Sequence, residues 1–469
     1  MIFVIKFGTD GWRAIMADEF VVEKVRVVAT AIAQYLKKEG IAEQGIVVGY
    51  DTRFLSETFA REVARVFLGA GIPAEMAKRY VPTPVIAYSV KDRKRAGAIM
   101  ITASHNPPEY NGIKFIPRYA GPATTDITKQ IEKELRTVIA NSKEISLGDA
   151  SHINYFDPAP RYLKHLSQFI DWEMIRHSGI KVIIDPLYGT AMDYLDKIFK
   201  ENACSFEVIH NWRDPYFGGS NPEPSKENLS ELKQKLFSTN AQLGLATDGD
   251  ADRFGIIDED GEYISPNYGI ALLLYHLVEN KGWRGPIGRT VATTHLLDRL
   301  ARKYGLLVLE TPVGFKYIGA LMRERDLLIG GEESGGVSVK THIPEKDGIL
   351  ACAMISELRA KAGKTLGELL KDIMEDVGFV YNERINLHCE EDIKKQKLEF
   401  LYNSPPQRLA DIEVENVVTL DGIKFLLSDG SWLLIRPSGT EPIVRIYAES
   451  ERLEIKDKLI SVGKEFFVK

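Results

Sequence analysis

The chain has 469 residues and a mass of 52.7 kDa, with 44% hydrophobic and 27% charged residues, so it can bury several cores without a disulfide framework or a structural metal. At about 150 residues per domain it should hold about three domains, two or four being equally admissible. Lys plus Arg number 60 against 66 Asp plus Glu, and the resulting net charge of -6 excludes a global attraction to nucleic acid or an anionic membrane while leaving room for a local basic phosphate pocket.

The opening MIFVIKFGTDGWR has too brief an apolar run for a signal peptide, and no later stretch approaches the ~20 apolar residues that span a bilayer. A strand, turn and helix pattern follows: IVVGYDTR at 46–53, SETFAREVARVFLGAG at 56–71 and RAGAIMITASHNP at 95–107. Continuous apolar runs at 46–49 and 98–101 suit strands buried on both faces, and Phe59, Val63, Val66 and Phe67 recur as on a covering helix. The pattern restarts after Asp157-Pro158-Ala159-Pro160, with strands expected in 181–189, 204–209 and 243–253 and a helix over 225–237. A third unit should hold a helix over 271–278, strand patterns around 288–294 and 307–314, and the LLI run of 327–336. A helix over 366–378 then gives way to strand patterns across 414–450, punctuated by Asp421-Gly422 and Asp429-Gly430 turns. The expected fold is three related mixed-sheet α/β domains plus a smaller C-terminal α+β domain, divided at 1–150, 151–255, 256–370 and 371–469. Cys204, Cys352 and Cys389 show no CxxC spacing and an odd count, which suits a reducing compartment and gives zinc thiolate chemistry no support.

Four loops carry chemistry. Thr102-Ala103-Ser104-His105-Asn106-Pro107 follows a buried strand, where an open α/β sheet presents ligand-binding groups. Ser104 offers a catalytic hydroxyl and His105 a base or orienting neighbour, although a polar turn would contain the same residue types. Asp248, Asp250 and Asp252 end another strand at a spacing of two, and their repulsion makes a hard cation such as Mg²⁺ a natural partner. An EF-hand is excluded, because Arg253 stands at the sixth position where that loop needs glycine. Gly330-Gly331-Glu332-Glu333-Ser334-Gly335-Gly336 offers carboxylates, a hydroxyl and open backbone for sugar hydroxyls. Arg436-Pro437-Ser438-Gly439-Thr440-Glu441-Pro442, with Arg445 nearby, supplies cationic forks and hydroxyls for phosphate, without a Walker sequence. Phe7-Gly8-Thr9-Asp10-Gly11-Trp12-Arg13 is a weaker candidate of the same kind, and His342 and Lys346 flank the sugar-type loop.

Together and in this order, the four loops resemble those of the α-D-phosphohexomutase family, and the resemblance covers essentially the whole chain. It implies four domains around a central cleft, with Ser104 as the phosphoserine and as a Mg²⁺ ligand beside Asp248, Asp250 and Asp252. It also implies that Arg13, Lys114, Arg253 and Lys346 line the reaction region and that His105, Glu332 and Ser334 face the sugar. Arg436, Ser438, Gly439, Thr440 and Arg445 would hold the phosphate that is not being transferred. The implied reaction is reversible exchange of hexose 1-phosphate and hexose 6-phosphate through a hexose 1,6-bisphosphate, which is both intermediate and activator.

The loop ending Gly335-Gly336 resembles glucose-type members more than relatives with a terminal histidine, so phosphoglucomutase is the first expectation. Phosphomannomutase and phosphoglucosamine mutase are the alternatives. A metal-dependent phosphatase would need less of the C-terminal loop, and a non-catalytic sugar-phosphate binder would not need Ser104 with three aspartates. The expected setting is a cytoplasmic monomer or homodimer whose partners are hexose phosphates, with no nucleic acid and no membrane.

Overall fold

The computed structural model describes residues 5, 8, 10–141, 145–438 and 442–467. The first sheet has six strands in the spatial order Trp12–Ile15, Tyr110–Pro117, Gly97–Ile101, Ile46–Tyr50, Ala74–Ala77 and Asn154–Phe156. Gly97–Ile101, Ile46–Tyr50, Ala74–Ala77 and Asn154–Phe156 run parallel, with Tyr110–Pro117 antiparallel to Gly97–Ile101. Helices cover both faces, which is why Ile46, Val47 and Val48 are apolar without alternation. Ile46, Val48 and Tyr50 pack with helices Val22–Lys38, Ser56–Gly69 and Thr125–Asn141, whereas Val47, Ala98 and Met100 share a cluster with helix Thr83–Asp92.

The second sheet runs in the order Tyr263–Ile264, Phe254–Asp258, Leu243–Thr247, Lys181–Asp185 and Ser205–Val208, parallel among the last three. The helix expected over 225–237 is Ser230–Thr239. Asn228 explains the later start, since its side-chain amide donates to the Asn221 and Glu223 carbonyls at 3.0 and 2.9 Å and holds the entry as a turn. The third sheet is four strands, Val308–Thr311, Ile287–Thr290, Ile329–Gly331 and Val337–Val339, of which only the last is antiparallel to its neighbour. Its preceding helix, expected over 271–278, begins earlier at Pro266, a residue suited to a first helical position, and passes into a π turn at His276–Asn280.

Helix Gly348–Ala362 lies inside the molecule, with every residue from Gly348 to Arg359 buried. Its sequence is apolar around most of its circumference, as a helix without a solvent face requires. One hydrophobic cluster runs from Val47 to Val380 through this helix and joins the first three units.

The fourth sheet is antiparallel, in the order Tyr381–His388, Ile443–Ser450, Trp432–Pro437, Ile423–Leu427, Ile412–Val418 and Arg408–Leu409. The two Asp-Gly pairs turn the chain between its strands, with Gly422 and Gly430 both at φ +81°. Residues of helices Glu391–Asn403 and Leu453–Glu465 pack into its main core, while Trp432, Leu434 and Tyr447 form a second cluster with Val291 and Ala292 of the third unit. Lys424 stitches this contact, donating to the Val291 carbonyl at 2.7 Å while its ammonium lies 4.2 Å from the Trp432 ring centre.

Three elements run across the expected edges. Asn154–Phe156 pairs with Ala74–Ala77, so the first unit extends beyond 150. Phe254–Asp258 crosses the 255/256 division, and helix Leu366–Val377 crosses 370. A strand stays with the sheet that satisfies its backbone groups, which accounts for the two strand crossings, while the third is one continuous helix. Among the described residues, no helix is long and apolar enough to cross a membrane.

Candidate active site

The buried strand Gly97–Ile101 leads into a sharp bend in which Ser104 adopts φ +52°. A non-glycine residue in this region carries strain of about 1–3 kcal/mol and persists only where its surroundings hold it. Thr102 Oγ1 accepts from the Ser104 amide at 2.9 Å, and Ser104 Oγ donates to Asp248 Oδ2 at 2.7 Å. His105 Nδ1 stands 3.3 Å from the same hydroxyl. Burial, followed by Arg253 and Arg13, pushes the His105 pKa well down, so the ring is neutral.

Asp248, Asp250 and Asp252 leave strand Leu243–Thr247 on a bend where Ala251 has φ +59°. Their side chains converge as anticipated: one carboxylate oxygen from each lies within 4.8 Å of the others, and all three residues are buried. Asp250 Oδ1 and Asp252 Oδ1 are buried without hydrogen-bond partners. Burial and the neighbouring Asp250 and Asp252 raise the Asp248 pKa well above the usual carboxylate range. Convergent, orphaned, mutually repelling hard oxygens fit a cation of the Mg²⁺ type. The loop is also backed by the buried helix, since a Cβ on Gly348 would fall 2.2 Å from the Arg253 carbonyl oxygen.

Lys114 and Lys346 reach the same carboxylates from the first and third units. Lys114 Nζ lies 2.9 Å from Asp250 Oδ2, 3.1 Å from Asp252 Oδ2 and 2.8 Å from Asp10 Oδ2. Lys346 Nζ lies 3.2 Å from Asp252 Oδ2 and 3.7 Å from Asp10 Oδ2. Burial works against both charges, yet the surrounding carboxylates raise both pKa values and keep the ammoniums protonated. Arg13 Nη1 donates to Asn106 Oδ1 at 2.6 Å, and the Arg253 amide donates to Asp248 Oδ1 at 3.0 Å while its guanidinium meets Glu223.

The glycine-rich loop docks directly on the metal-type loop, with Phe254 N donating to Gly335 O at 3.3 Å beside an Arg253–Gly336 bridge. Glu332 is 5% exposed, and burial together with Glu333 pushes its pKa up to about 7. Its Oε1 accepts from the Gly314 amide at 2.8 Å. Ser334 is half-buried beside it. A Cβ on Gly336 would sit 2.4 Å from Lys346 Cδ, so this glycine makes room for the lysine stem.

Arg436 and Arg445 occupy directly paired positions on antiparallel strands. Two cationic side chains at such a pair repel unless anions lie between or beside them, and Asp421 Oδ2 accepts from Arg436 Nε at 2.8 Å. Ser438 is buried next to them, while Gly439 and Thr440 lie outside the described residues. This end of the fourth unit meets the third through Tyr447 OH donating to Glu333 Oε1 at 3.4 Å and Val313 N donating to Asp421 Oδ2 at 3.0 Å.

Four supporting groups were given no role of their own from the sequence. Asp10 binds both active-region lysines, and Thr83 Oγ1 donates to Asp250 Oδ2 at 2.6 Å. Glu345, 2% exposed, has its pKa pushed up to about 8 by burial against the opposing pull of Lys346. Gly314 aims Glu332 from a separate loop. Asp10 was visible within a motif and Glu345 adjoins Lys346 in sequence, whereas Thr83 and Gly314 join the site only through long-range contacts.

Family models for phosphoglucomutase/phosphomannomutase match the chain in sequence order: α/β/α domain I at residues 4–141, domain II at 160–261, domain III at 265–377 and the C-terminal domain at 385–459. A phosphoglucomutase/phosphomannomutase of Thermococcus kodakarensis is 31% identical over 462 residues, covering 97% of each chain. A probable phosphoglucosamine mutase of Methanobrevibacter smithii is 31% identical over 467 residues, covering 98% of each. The crystal structure of a Thermus thermophilus protein assigned as a phosphomannomutase superposes with a TM-score of 0.86 at 32% identity, covering 99% of each chain.

Proposed function

The chain belongs to the α-D-phosphohexomutase family of intramolecular phosphotransferases, and from that premise we propose that Ser104 carries the phosphoryl group in the exchange of hexose 1-phosphate and hexose 6-phosphate. The observation that carries the assignment of Ser104 is its hydroxyl contact with Asp248 within the convergent aspartate cluster. Ser104, Asp248, Asp250 and Asp252 would hold Mg²⁺, which when bound supplies charge neutralisation and polarisation of the serine phosphate.

In the first transfer the free sugar hydroxyl oxygen forms a bond to phosphorus as the Oγ–P bond of phosphoserine 104 breaks. The hydroxyl proton is relayed through a base to the departing Ser104 Oγ, leaving a hexose 1,6-bisphosphate and serine, and in the second transfer the serine proton returns the same way to the sugar oxygen. The intermediate turns round, Ser104 Oγ attacks its other phosphorus, and the sugar–phosphate bond breaks to restore phosphoserine and release the isomeric monophosphate. Arg13, Lys114, Arg253 and Lys346 answer the charge on the transferring phosphate, with the lysines acting as cations rather than bases because their carboxylate neighbours keep them protonated. His105 accompanies the substrate as a neutral ring. Arg436, Ser438, Gly439, Thr440 and Arg445 grip the distal phosphate in both orientations, since a phosphate cradle need not distinguish C1 from C6.

Glu332 and Ser334 orient the sugar hydroxyls. The relatives bear names for glucose, mannose and glucosamine phosphates, which favours the mannose and glucosamine alternatives over a preference for glucose alone. A single hydroxyl contact changes preference by only about 0.5–1.5 kcal/mol, so a shared grip on the phosphate and other hydroxyls tolerates a change at C2. The test is kcat/KM on all three 1-phosphates, each with its bisphosphate and Mg²⁺ and with the 6-phosphate quantified. Mannose or glucosamine 1-phosphate should be used at least as efficiently as glucose 1-phosphate, and a glucose preference above about tenfold would overturn this reading.

The buried Glu332 should impose a pH limb. Because only its ionised form accepts hydrogen bonds through both oxygens, kcat/KM should rise with pH through about 7, and Glu332→Gln should remove that rise while lowering the plateau. An unchanged acid limb in the variant would exclude Glu332 as its source.

A further inference from the structure

Arg53 lies beneath the Ser104 loop and is fully buried, at 0% exposure. It follows strand Ile46–Tyr50 in the sequence Asp51-Thr52-Arg53, and all three of these polar residues are buried. Its guanidinium has five N–H donors and the surroundings provide five matching acceptor contacts. Nε meets Asp51 Oδ2 at 3.1 Å. Nη1 donates to the Pro107 and Tyr110 carbonyls at 2.6 and 3.1 Å, and Nη2 donates to the Ser104 and Asn106 carbonyls at 2.6 Å each. Four carbonyls between residues 104 and 110 therefore converge on one cation. Asp51 is fixed in turn by the Ser56 hydroxyl at 2.7 Å and the Arg53 amide at 3.0 Å.

We infer that Arg53 is the positioning residue of the phosphoryl-transfer loop, holding the backbone of Ser104 in its left-handed conformation so that Oγ stays aimed at the metal-type carboxylates. This rests on the phosphoserine reading above. Ser104 O is pinned by Arg53 Nη2, so the planar peptide that follows is oriented as well, with the His105 N–H directed opposite to the guanidinium. The second unit closes the arrangement: a Cβ on Gly249 would fall 2.8 Å from Ser104 O, and the Phe217 ring centre lies 4.9 Å from the Arg53 guanidinium carbon. Arg213 of the same unit donates to the Thr52 and Arg53 carbonyls at 3.1 and 3.3 Å. Thus the same arginine fixes the carrier loop and meets the domain that supplies its aspartates. Lysine retains the charge but has three donors without a planar fork and cannot reproduce five contacts.

The experiment compares wild type, Arg53→Lys and Arg53→Ala by melting curve, kcat, KM and guanidinium rescue. Turnover by the wild type establishes the mutase reading independently; its absence overturns that reading and this proposal together. For Arg53→Lys, kcat should fall about 100-fold, as expected for slight misplacement of reacting groups, with KM within about threefold because the distal phosphate grip is untouched. Guanidinium ion at millimolar concentration should restore Arg53→Ala at least about tenfold, and methylammonium should not, because only the planar fork matches the carbonyls. Unchanged kcat in Arg53→Lys, a change confined to KM, or a folded Arg53→Ala without rescue would overturn the assignment. So would failure of both variants to fold, which would make Arg53 a folding residue.

Discussion

Ser104→Ala is expected to leave a folded protein whose sustained mutase turnover is lower by about four orders of magnitude or more, the scale seen when a covalent carrier is deleted. Alanine can occupy the bend with no larger side chain, and the lost partner is the 2.7 Å contact to Asp248 Oδ2. Because burial and the other aspartates already favour a proton on Asp248, that carboxyl need not become an unpaired buried anion in the absence of metal. Hexose bisphosphate should still bind through the distal arginines but find no acceptor oxygen at residue 104. Turnover with Mg²⁺ and bisphosphate, together with phosphopeptide mapping of residues 102–107 in the wild type, provides the check. Retained activity, or a catalytic phosphate mapped to another residue, would remove Ser104 from the mechanism.

Asp248→Asn should separate metal binding from folding. In the metal-free wild type, the folded pKa of Asp248 lies above its ordinary value because of burial, Asp250 and Asp252. Its ionisation therefore costs stability: the contribution is most favourable below the unfolded pKa and is lost as pH rises through the raised folded value. Asparagine removes this term, so near pH 8 the metal-free variant should melt no lower than metal-free wild type. Mg²⁺ should then raise the melting temperature of wild type but not the variant, since about 2.7 kcal/mol of linkage at a hundredfold excess over Kd is available only to a protein that binds it. Turnover should fall about 10²–10³-fold, equivalent to several kcal/mol of lost charge stabilisation. Equal Mg²⁺ shifts in both proteins would exclude Asp248 from the cation site.

The four loops were legible because each concentrates its chemistry within a few consecutive residues, and the apolar strands before three of them place that chemistry at a sheet edge. The Asp248, Asp250 and Asp252 series could be read from spacing, repulsion and the strand preceding it. Thr83 could not, because 167 residues separate it from Asp250, and nothing in Pro82-Thr83-Pro84 distinguishes a helix entry from a carboxylate anchor. Arg53 left a faint signal, a polar Asp-Thr-Arg triplet directly after a wholly buried strand, but its role depends on carbonyls more than 50 positions away. Similarly, the apolar pattern of 225–237 indicates a helix without revealing that Asn228 delays its start. Glu345 and Gly314 were hidden because burial and carboxylate aim arise only when separate loops pack.

The short strand Asn154–Phe156 closes the free side of Ala74–Ala77 after the chain has already made the first unit's long helices. That late return matters for any attempt to isolate the Ser104-bearing unit. A fragment ending at residue 141 would leave the outer N–H and C=O groups of Ala74–Ala77 available for pairing with another copy, the situation that promotes edge-to-edge aggregation. Continuing the fragment through residue 157 retains the guard strand, so the length needed for a well-behaved fragment is set by this small edge as well as by the main core.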